Sequence, residues 1–180
     1  MATLHIPDLH QTLFDIEDIK AYLNARNIWY DRWEAQTEFP KDALPETVLA
    51  AYDHALTPFM TQGGYQVADV VVVHPDMPNM NEIRHKFLSE HTHSEDEIRF
   101  FVEGQGYFWF NLEQADHPVF CVKCEVGDLL SVPAGVKHWF DLGEKPFVKA
   151  IRIFIDEAGW IPHYTNSGMD ARYRLTTVHG

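Results

Sequence analysis

The chain has 180 residues, 46% of them hydrophobic, which predicts one packed domain over residues 1–180, because this length is short for two cores. The formal net charge of −13 would repel a phosphate backbone and argues against nucleic acid as a partner. Apolar runs such as 48–52 and 70–73 are too short to cross a bilayer, and the first residues lack a secretory leader, so a cytoplasmic protein without a membrane partner is expected.

The N-terminal third, residues 1–66, predicts a helical layer. Apolar residues recur at helical spacing over 16–23, directly after Asp15, which is a possible N-cap. The same spacing recurs over 48–56 after Pro45, a residue favoured in a first helical turn. Two helices are therefore expected before the chain changes its pattern.

From residue 67 the sequence changes to short apolar segments separated by Gly, Pro, Asn or acidic residues, which predicts a β core over 67–160. Closely spaced strands without intervening helices are typical of an antiparallel barrel or jelly roll, whose mouth can enclose a site. Residues 161–180 form a C-terminal tail in which the pattern indicates no chemistry. The predicted strands cover residues 67–74, 82–89, 98–103, 107–112, 119–126, 128–132, 138–142 and 147–155.

The two cysteines, Cys121 and Cys124, have a spacing that redox and zinc motifs use. They fall in a strand-like stretch, where residues three apart face opposite sides of a sheet. No second Cys or His pair at zinc-finger spacing accompanies them. We therefore interpret them as two reduced cysteines.

Four residues form a candidate metal site: His91, His93, Glu97 and His138. Alternate side chains of a strand share a face, so His91 and His93 can point into one cavity. Three imidazoles with one carboxylate suit iron, nickel or manganese better than metals that prefer thiolates. The sequence thus predicts a redox-capable metal.

Strand alternation also predicts which neighbours share this cavity. Arg99 shares the face of Glu97, and a buried cation beside a metal is costly unless it meets an anion such as a metal-bound enolate or carboxylate. The alternative for Arg99 is a salt bridge to an acid such as Glu103. On an unbroken strand His85 would share the face of His91, although a structural role is favoured for it.

The spacing of the candidate ligands resembles the two halves of the cupin double signature, which here cover residues 85–104 and 127–142. Two positions depart from that signature. His85 replaces the glycine that often opens the first half, and Leu142 replaces the asparagine that often closes the second. Neither position is a ligand, so the metal prediction is unaffected.

Within the cupins, residues 87–104 and 138–141 resemble the acireductone dioxygenases closely, and the likeness spans most of the chain. It implies a mainly β fold with N-terminal helices, the cupin double-stranded β-helix or jelly-roll barrel. It also implies one Fe(2+) or Ni(2+) ion per monomeric chain. By this resemblance the ligands are His91, His93, Glu97 and His138.

The same resemblance implies roles for other residues. Arg99 matches the arginine that favours the substrate dianion. Glu90 and Asp96 match acidic residues that the family associates with metal incorporation and with relaying local conformational change, while ordinary structural carboxylates are the alternative. The aromatic residues that match substrate-pocket positions are Phe87, Phe140 and Trp160.

The implied function is cleavage of an acireductone, 1,2-dihydroxy-5-(methylthio)pent-1-en-3-one, with O2 in methionine salvage. The implied products are formate and 4-methylthio-2-oxobutanoate with iron, or formate, carbon monoxide and 3-(methylthio)propanoate with nickel. Two alternatives stay open. One is another metal cupin, such as a diketone or quercetin-type dioxygenase or a manganese oxalate-degrading enzyme, and the other is a non-catalytic cupin that binds a small molecule.

Overall fold

The computed structural model describes residues 1–35, 38–40, 42–156 and 161–175. In this part of the chain the strands are β1 (Thr3–Ile6), β2 (Gln11–Leu13), β3 (Tyr30–Arg32), β4 (Val67–Val73), β5 (His91–Thr92), β6 (Glu97–Asn111), β7 (Val119–Glu125), β8 (Asp128–Val132), β9 (Lys137–Asp141), β10 (Val148–Phe154) and β11 (His163–Tyr164). The α-helices are α1 (Ile16–Asn24), α2 (Pro45–Ala51), α3 (Asp53–Gly63), α4 (Met80–Leu88) and α5 (Met169–Arg172). None of these helices is long and apolar enough to span a membrane.

The long strand β6 belongs to two antiparallel sheets and joins them. Its first half pairs with β8 and β10 in a sheet of order β4-β10-β6-β8-β3, and its second half pairs with β7 and β9 in a sheet of order β11-β5-β9-β6-β7-β1-β2. The strand changes sheets around Gly104, whose φ of +74° favours glycine and where a Cβ would lie 2.0 Å from the Phe147 carbonyl oxygen. The predicted mainly β fold is confirmed as a sandwich, which within the described residues is not a closed barrel.

Strand alternation in β6 separates two apolar layers. Glu97, Arg99 and Phe101 face the space between the sheets, whereas after Gly104 the even-numbered Phe108 and Phe110 do so. The phenylalanine rings join the main core with Phe120 and Phe140. Phe100, on the opposite face, packs against α2 and α3, with its ring centroid 5.1 Å from that of Tyr52. Burial of these large rings supplies the main favourable free energy of folding. Packing on both faces therefore holds β6 firmly between the two apolar layers.

The predicted helix at 16–23 is confirmed as α1, and the Asp15 side chain caps it by accepting hydrogen bonds from Glu17 N at 2.9 Å and Asp18 N at 3.3 Å. The single helix predicted after Pro45 is instead two helices, because the backbone breaks at Tyr52, where φ is −108° and ψ is 8°. Three short strands, β1 to β3, also lie among residues 1–66. They have three or four residues each, which is too short for alternation to be visible in the sequence.

The prediction of a strand over 82–89 is wrong, because these residues belong to α4 and the turn after it. Ile83 and Phe87 are four apart, so they share one helical face, and most other residues of α4 are good helix formers. The predicted strands 98–103 and 107–112 are one continuous strand, β6. The predictions that correspond to β4, β7, β8, β9 and β10 agree with the structure to within one residue at each end.

Both cysteines are free thiols and fully buried on strand β7. Cys124 lies in the core between the sheets, whereas Cys121 packs with Trp109 and Trp139 in a separate cluster on the other face. The prediction of two reduced cysteines on opposite faces is confirmed. Burial raises the pKa of both thiols well above the ordinary value of 9.0.

Candidate metal centre

A cavity of about 330 Å³ lies on the inner face of the β4-β10-β6-β8-β3 sheet, against strands β4, β6 and β10. Helix α4, strand β9 and the segment around β11 complete its walls. All four candidate ligands line the cavity, and most of its surface is apolar. Its lining residues are Val71, Val72, Val73, Ile83, Lys86, Phe87, His91, His93, Glu97, Arg99, Phe108, His138, Phe140, Arg152, Pro162 and Tyr164.

The three histidines converge because two short strands meet. His91 of β5 is the direct cross-strand partner of His138 of β9, and His93 follows β5 by one residue. Each offers a ring nitrogen, and these nitrogens lie within 4.8 Å of one another. All three side chains are buried. This is the close grouping that a single metal ion requires.

Backbone carbonyls orient the three imidazole rings. The Nδ1 atoms lie 2.7 Å from Ser89 O for His91, 3.2 Å from Ile161 O for His93, and 2.9 Å from Val136 O for His138. An Nδ1–H that donates to a carbonyl leaves Nε2 with its lone pair free to bind a metal. His138 Nε2 is buried and has no hydrogen-bond partner among the described residues, which fits a metal-binding nitrogen.

Glu97, the first residue of β6, adds an oxygen donor to this group. Its Oε2 lies 3.2 Å from His93 Nε2 and 3.9 Å from His138 Nε2. Burial alone would raise the pKa of this carboxyl, but the charge of Arg99 and the hydrogen bond from His93 outweigh burial and hold it well below 4.5. Glu97 is therefore ionised at neutral pH and can bind a cation.

Two of the histidines, His91 and His138, are neutral at neutral pH, as metal ligands must be. Burial lowers the pKa of His91 below 6.5. Burial, with a smaller contribution from the neighbouring His91, lowers the pKa of His138 to about 3. A set of three imidazole nitrogens and one anionic oxygen suits iron, nickel or manganese.

Arg99 lies beside the ligands, fully buried between two aromatic rings. Its guanidinium carbon is 4.6 Å from the Phe140 ring centroid and 4.8 Å from that of Phe108, and it forms an ion pair with Glu97. The alternative salt bridge to Glu103 is wrong, because Glu103 pairs with Lys149 at 3.2 Å. Arg99 Nε has no hydrogen-bond partner in the described part of the chain, which leaves one buried donor for an anionic ligand.

The aromatic pocket residues predicted from the sequence are placed as follows. Phe87 and Phe140 both line the cavity, with ring centroids 5.9 Å apart in an edge-to-face contact. Phe87 reaches the cavity from helix α4 and not from the strand that was predicted over 82–89. Trp160 lies outside the described residues.

Two predicted acids flank the cavity without lining it. Glu90 is buried and accepts hydrogen bonds from Asn111, Thr165 and Ser167. Asp96 accepts a hydrogen bond from Ala134 N at 2.8 Å and so holds the turn that precedes β9. His85 is exposed on α4, and the unbroken strand that would have brought it to the cavity does not exist.

Sequence reasoning missed three polar residues of the cavity, Lys86, Arg152 and Tyr164. Arg152 on β10 is the cross-strand neighbour of Arg99 and forms a two-point ion pair with Asp69, at 2.9 and 2.5 Å. Tyr164 on β11 reaches the cavity from the tail, which had been assigned no chemistry. The alternation of β10 was a usable signal for Arg152, whereas no local pattern indicates Tyr164.

The sandwich and its cluster of three histidines and a carboxylate define a metal-dependent enzyme of the cupin class. The comparison with protein families identifies its branch, because the model of the ARD/ARD' family matches residues 8–162. The chain belongs to this family.

Individual relatives agree with the family match. The chain is 53% identical to an acireductone dioxygenase from Picosynechococcus sp., over 99% of this chain and 100% of the relative. It is 45% identical to one from Cronobacter sakazakii, over 88% of this chain and 87% of the relative. Among solved structures, an acireductone dioxygenase from Bacillus anthracis with a cadmium ion in its active centre has a TM-score of 0.83 at 31% identity, covering 91% of this chain and 98% of that one.

Proposed function

We propose that this protein cleaves the acireductone 1,2-dihydroxy-5-(methylthio)pent-1-en-3-one with O2, as an enzyme of methionine salvage. With iron(II) the products are formate and 4-methylthio-2-oxobutanoate, and with nickel(II) they are formate, carbon monoxide and 3-(methylthio)propanoate. The observation that carries this proposal is the grouping of three buried imidazoles, an ionised Glu97 and a buried Arg99 in one cavity.

The proposed ligands of one ion per chain are His91, His93, Glu97 and His138. When bound, the ion supplies a Lewis acid for the two adjacent oxygens of the substrate and a centre at which dioxygen can react. The protein contributes the rest by positioning. The carbonyls behind the three rings fix the imidazole orientations, and burial lowers the pKa of His91 and His138.

Arg99 is the proposed residue that stabilises the ionised substrate. Its charge lies in a water-poor cavity between the rings of Phe108 and Phe140, where an interaction with an anion is stronger than in water. Its guanidinium pairs with Glu97. A substrate anion would give it a second partner and would engage the free Nε donor.

The apolar wall is the proposed site for the methylthio side chain of the substrate. Ile83 and Phe87 from α4 face Val71 and Val73 from β4, and Phe140 lies next to Arg99. Such a wall excludes water from the reacting oxygens and orients the substrate relative to the ligands. Trp160 is the third proposed substrate contact, on the family resemblance.

Glu90 and Asp96 are proposed to act through backbone that carries ligands. Asp96 binds Ala134 N, and the neighbouring Gly135 N donates to His93 O at 2.9 Å, so this turn contacts the segment between two ligands. Glu90 directly precedes His91 and binds the tail. Both residues therefore influence the positions of the proposed ligands that an entering metal ion binds.

The proposed organisation is one domain over residues 1–180, with an N-terminal layer (1–66), a β core (67–160) and a tail (161–180). We also propose that the protein acts in the cytoplasm as a monomer without nucleic acid. The net charge of −13 supports the absence of a nucleic-acid partner. Light scattering coupled to size-exclusion chromatography measures the mass directly, and a mass of twice 20.8 kDa would contradict the monomer.

Reconstitution of one apoprotein preparation with iron(II) or nickel(II) tests the function. Both forms should consume the acireductone and O2 and release formate, and only the nickel form should release carbon monoxide into the headspace. The His93→Ala variant, treated with each metal, is the control for reaction in free solution. Identical products from both forms would refute metal control, and consumption of no acireductone by either form would refute the proposed function.

A further inference from the structure

The C-terminal segment forms one wall of the metal cavity. Pro162 and Tyr164 line the cavity, and β11 pairs with β5 so that Tyr164 is the cross-strand partner of His91. Three residues earlier, the Ile161 carbonyl lies 3.2 Å from His93 Nδ1. The tail therefore contacts two of the three imidazoles, although it contributes no ligand.

Apolar burial and strand pairing hold this wall only weakly. β11 has two residues and both are exposed. Ile161 and Tyr164 keep 56% and 44% of their surface exposed. A two-residue pairing at the edge of a sheet is marginal by itself. Another interaction must keep the Ile161 carbonyl against His93.

That interaction is a group of hydrogen bonds around Glu90, a carboxylate with only 1% of its surface exposed. Its Oε1 accepts from Thr165 Oγ1 and from Ser167 Oγ, the latter at 2.7 Å, and its Oε2 accepts from Asn111 Nδ2 at 2.9 Å. In addition, Thr165 N donates to Glu90 O at 3.0 Å. Hydrogen bonds to a buried charge are stronger than neutral ones.

The direction of these bonds is set by the backbone of the tail. Ser167 Oγ accepts a hydrogen bond from Met169 N at 3.1 Å, and Thr165 Oγ1 accepts one from Ser167 N at 3.4 Å. Both hydroxyl hydrogens are then available for Glu90. The two hydroxyls thus act together as donors to Glu90, and backbone hydrogen bonds within the tail fix their orientation.

We propose that Thr165 and Ser167 are positioning residues for the metal centre. Through Glu90 they hold the tail where the Ile161 carbonyl orients the imidazole of His93 and where Tyr164 closes the cavity beside His91. This inference rests on the proposed ligand set. Loss of the two hydroxyls leaves every ligand and Arg99 in the chain but releases the tail, which lowers metal affinity and weakens substrate binding.

The Thr165→Val/Ser167→Ala variant tests the proposal, with nickel(II) affinity measured by competition with a chelator. Removing groups that orient a metal-binding histidine weakens metal binding by about 10- to 100-fold, and we expect a loss in that range. Limited proteolysis should cut the tail faster. With the metal saturating, KM should rise while kcat changes by less than about threefold.

Two further variants separate positioning from general damage. Thr165→Ser/Ser167→Thr keeps both hydroxyls and should restore nickel affinity to within about twofold of the wild type. Thr57→Val removes a matched hydroxyl-to-carboxylate bond, 2.7 Å from Asp53 on exposed helix α3, and should change neither nickel affinity nor cleavage of the tail. The proposal would be overturned if Thr165→Val/Ser167→Ala bound nickel(II) as tightly as the wild type and its tail were cut at the wild-type rate.

A failure of this inference is distinguishable from a failure of the proposed function. If His93→Ala binds nickel(II) as the wild type does, the ligand set is wrong and both proposals fall. If His93→Ala loses nickel while the double Val/Ala variant keeps it, only the tail proposal falls. If the double variant does not fold, the single variant Ser167→Ala replaces it in the test. We expect its nickel affinity to fall about threefold, and an unchanged nickel affinity would overturn the proposal.

Discussion

The two sides of the metal cavity are built differently. On the strand side, Glu97, Arg99 and His138 come from β6 and β9, and each has at most 4% of its surface exposed. On the rim, α4 contains no fully buried residue and Tyr164 is 44% exposed. The proposed ligands and Arg99 on the strand side are thus tightly packed, whereas Phe87, a proposed substrate contact, lies on a helix without a fully buried residue.

This difference indicates a division of labour. Strand positions between two packed layers hold donors to fractions of an ångström, as metal binding requires. A rim with little burial opens at low free-energy cost and can admit a substrate. Changes on the strand side should therefore abolish chemistry, whereas changes on the rim should mainly alter binding.

The largest effect is expected from His138→Ala on the strand side. This ligand position is fully enclosed, so its loss should reduce bound metal from one equivalent to a trace and activity to background, while the apolar core keeps the fold. Elemental analysis and circular dichroism measure the two outcomes. His54→Ala, at an exposed histidine of α3, is the control. A full equivalent of metal in His138→Ala would contradict the ligand assignment.

Arg99→Met should spare the metal and reduce kcat/KM by about 10²- to 10³-fold, as loss of one preorganised charge does in comparable sites. Lys at this position should rescue only part of the activity, because the planar guanidinium is lost. Steady-state kinetics on metal-loaded protein checks both. Arg172→Met, an exposed arginine on α5, serves as the matched control. Near-normal turnover in Arg99→Met would remove this residue from the mechanism.

Acid should destabilise the apoprotein, because His138 on the strand side of the cavity is buried and resists protonation in the folded state. Between pH 6.5 and about 3 the unfolded chain binds a proton at His138 that the folded chain does not, so stability falls as pH falls through this window. At pH 5 this one imidazole accounts for about 2 kcal/mol. Urea unfolding of chelator-treated protein at pH 7 and pH 5 measures it, and His138→Gln should show a smaller difference. An equal pH dependence in both proteins would contradict the burial argument.

The smallest effect is expected on the rim. Phe87→Ala should raise KM about tenfold, the size expected for lost apolar contact in a pocket, with kcat within a few-fold of the wild type. Initial rates over a range of acireductone concentrations separate the two parameters. Phe14→Ala removes a ring that is 64% exposed and should leave both unchanged. A large loss of kcat with unchanged KM in Phe87→Ala would break the division between strand side and rim.

The comparison of the two sides also explains what the sequence could predict. Strand alternation is local, so it correctly grouped Glu97 with Arg99 in the cavity that also holds His138 and Phe140. The motif spacing grouped His91 and His93 with them. These predictions required only that a strand keep its period of two residues.

The rim could not be predicted in the same way. Helix α4 was interpreted as a strand because its short apolar segment is compatible with both periods. The contact of Glu90 with Thr165 and Ser167 joins residues more than seventy positions apart, and no periodicity encodes it. Tertiary pairing alone brings β11 to the cavity.

The two enclosed thiols have a consequence for an enzyme that consumes dioxygen. Only a thiolate reacts readily with peroxide, and burial keeps Cys121 and Cys124 protonated and out of contact with solvent. Reduced oxygen species that leak from the cavity therefore meet no reactive sulfur at either position. Burial on strand β7 thus protects these two thiols against oxidation by the protein's own co-substrate.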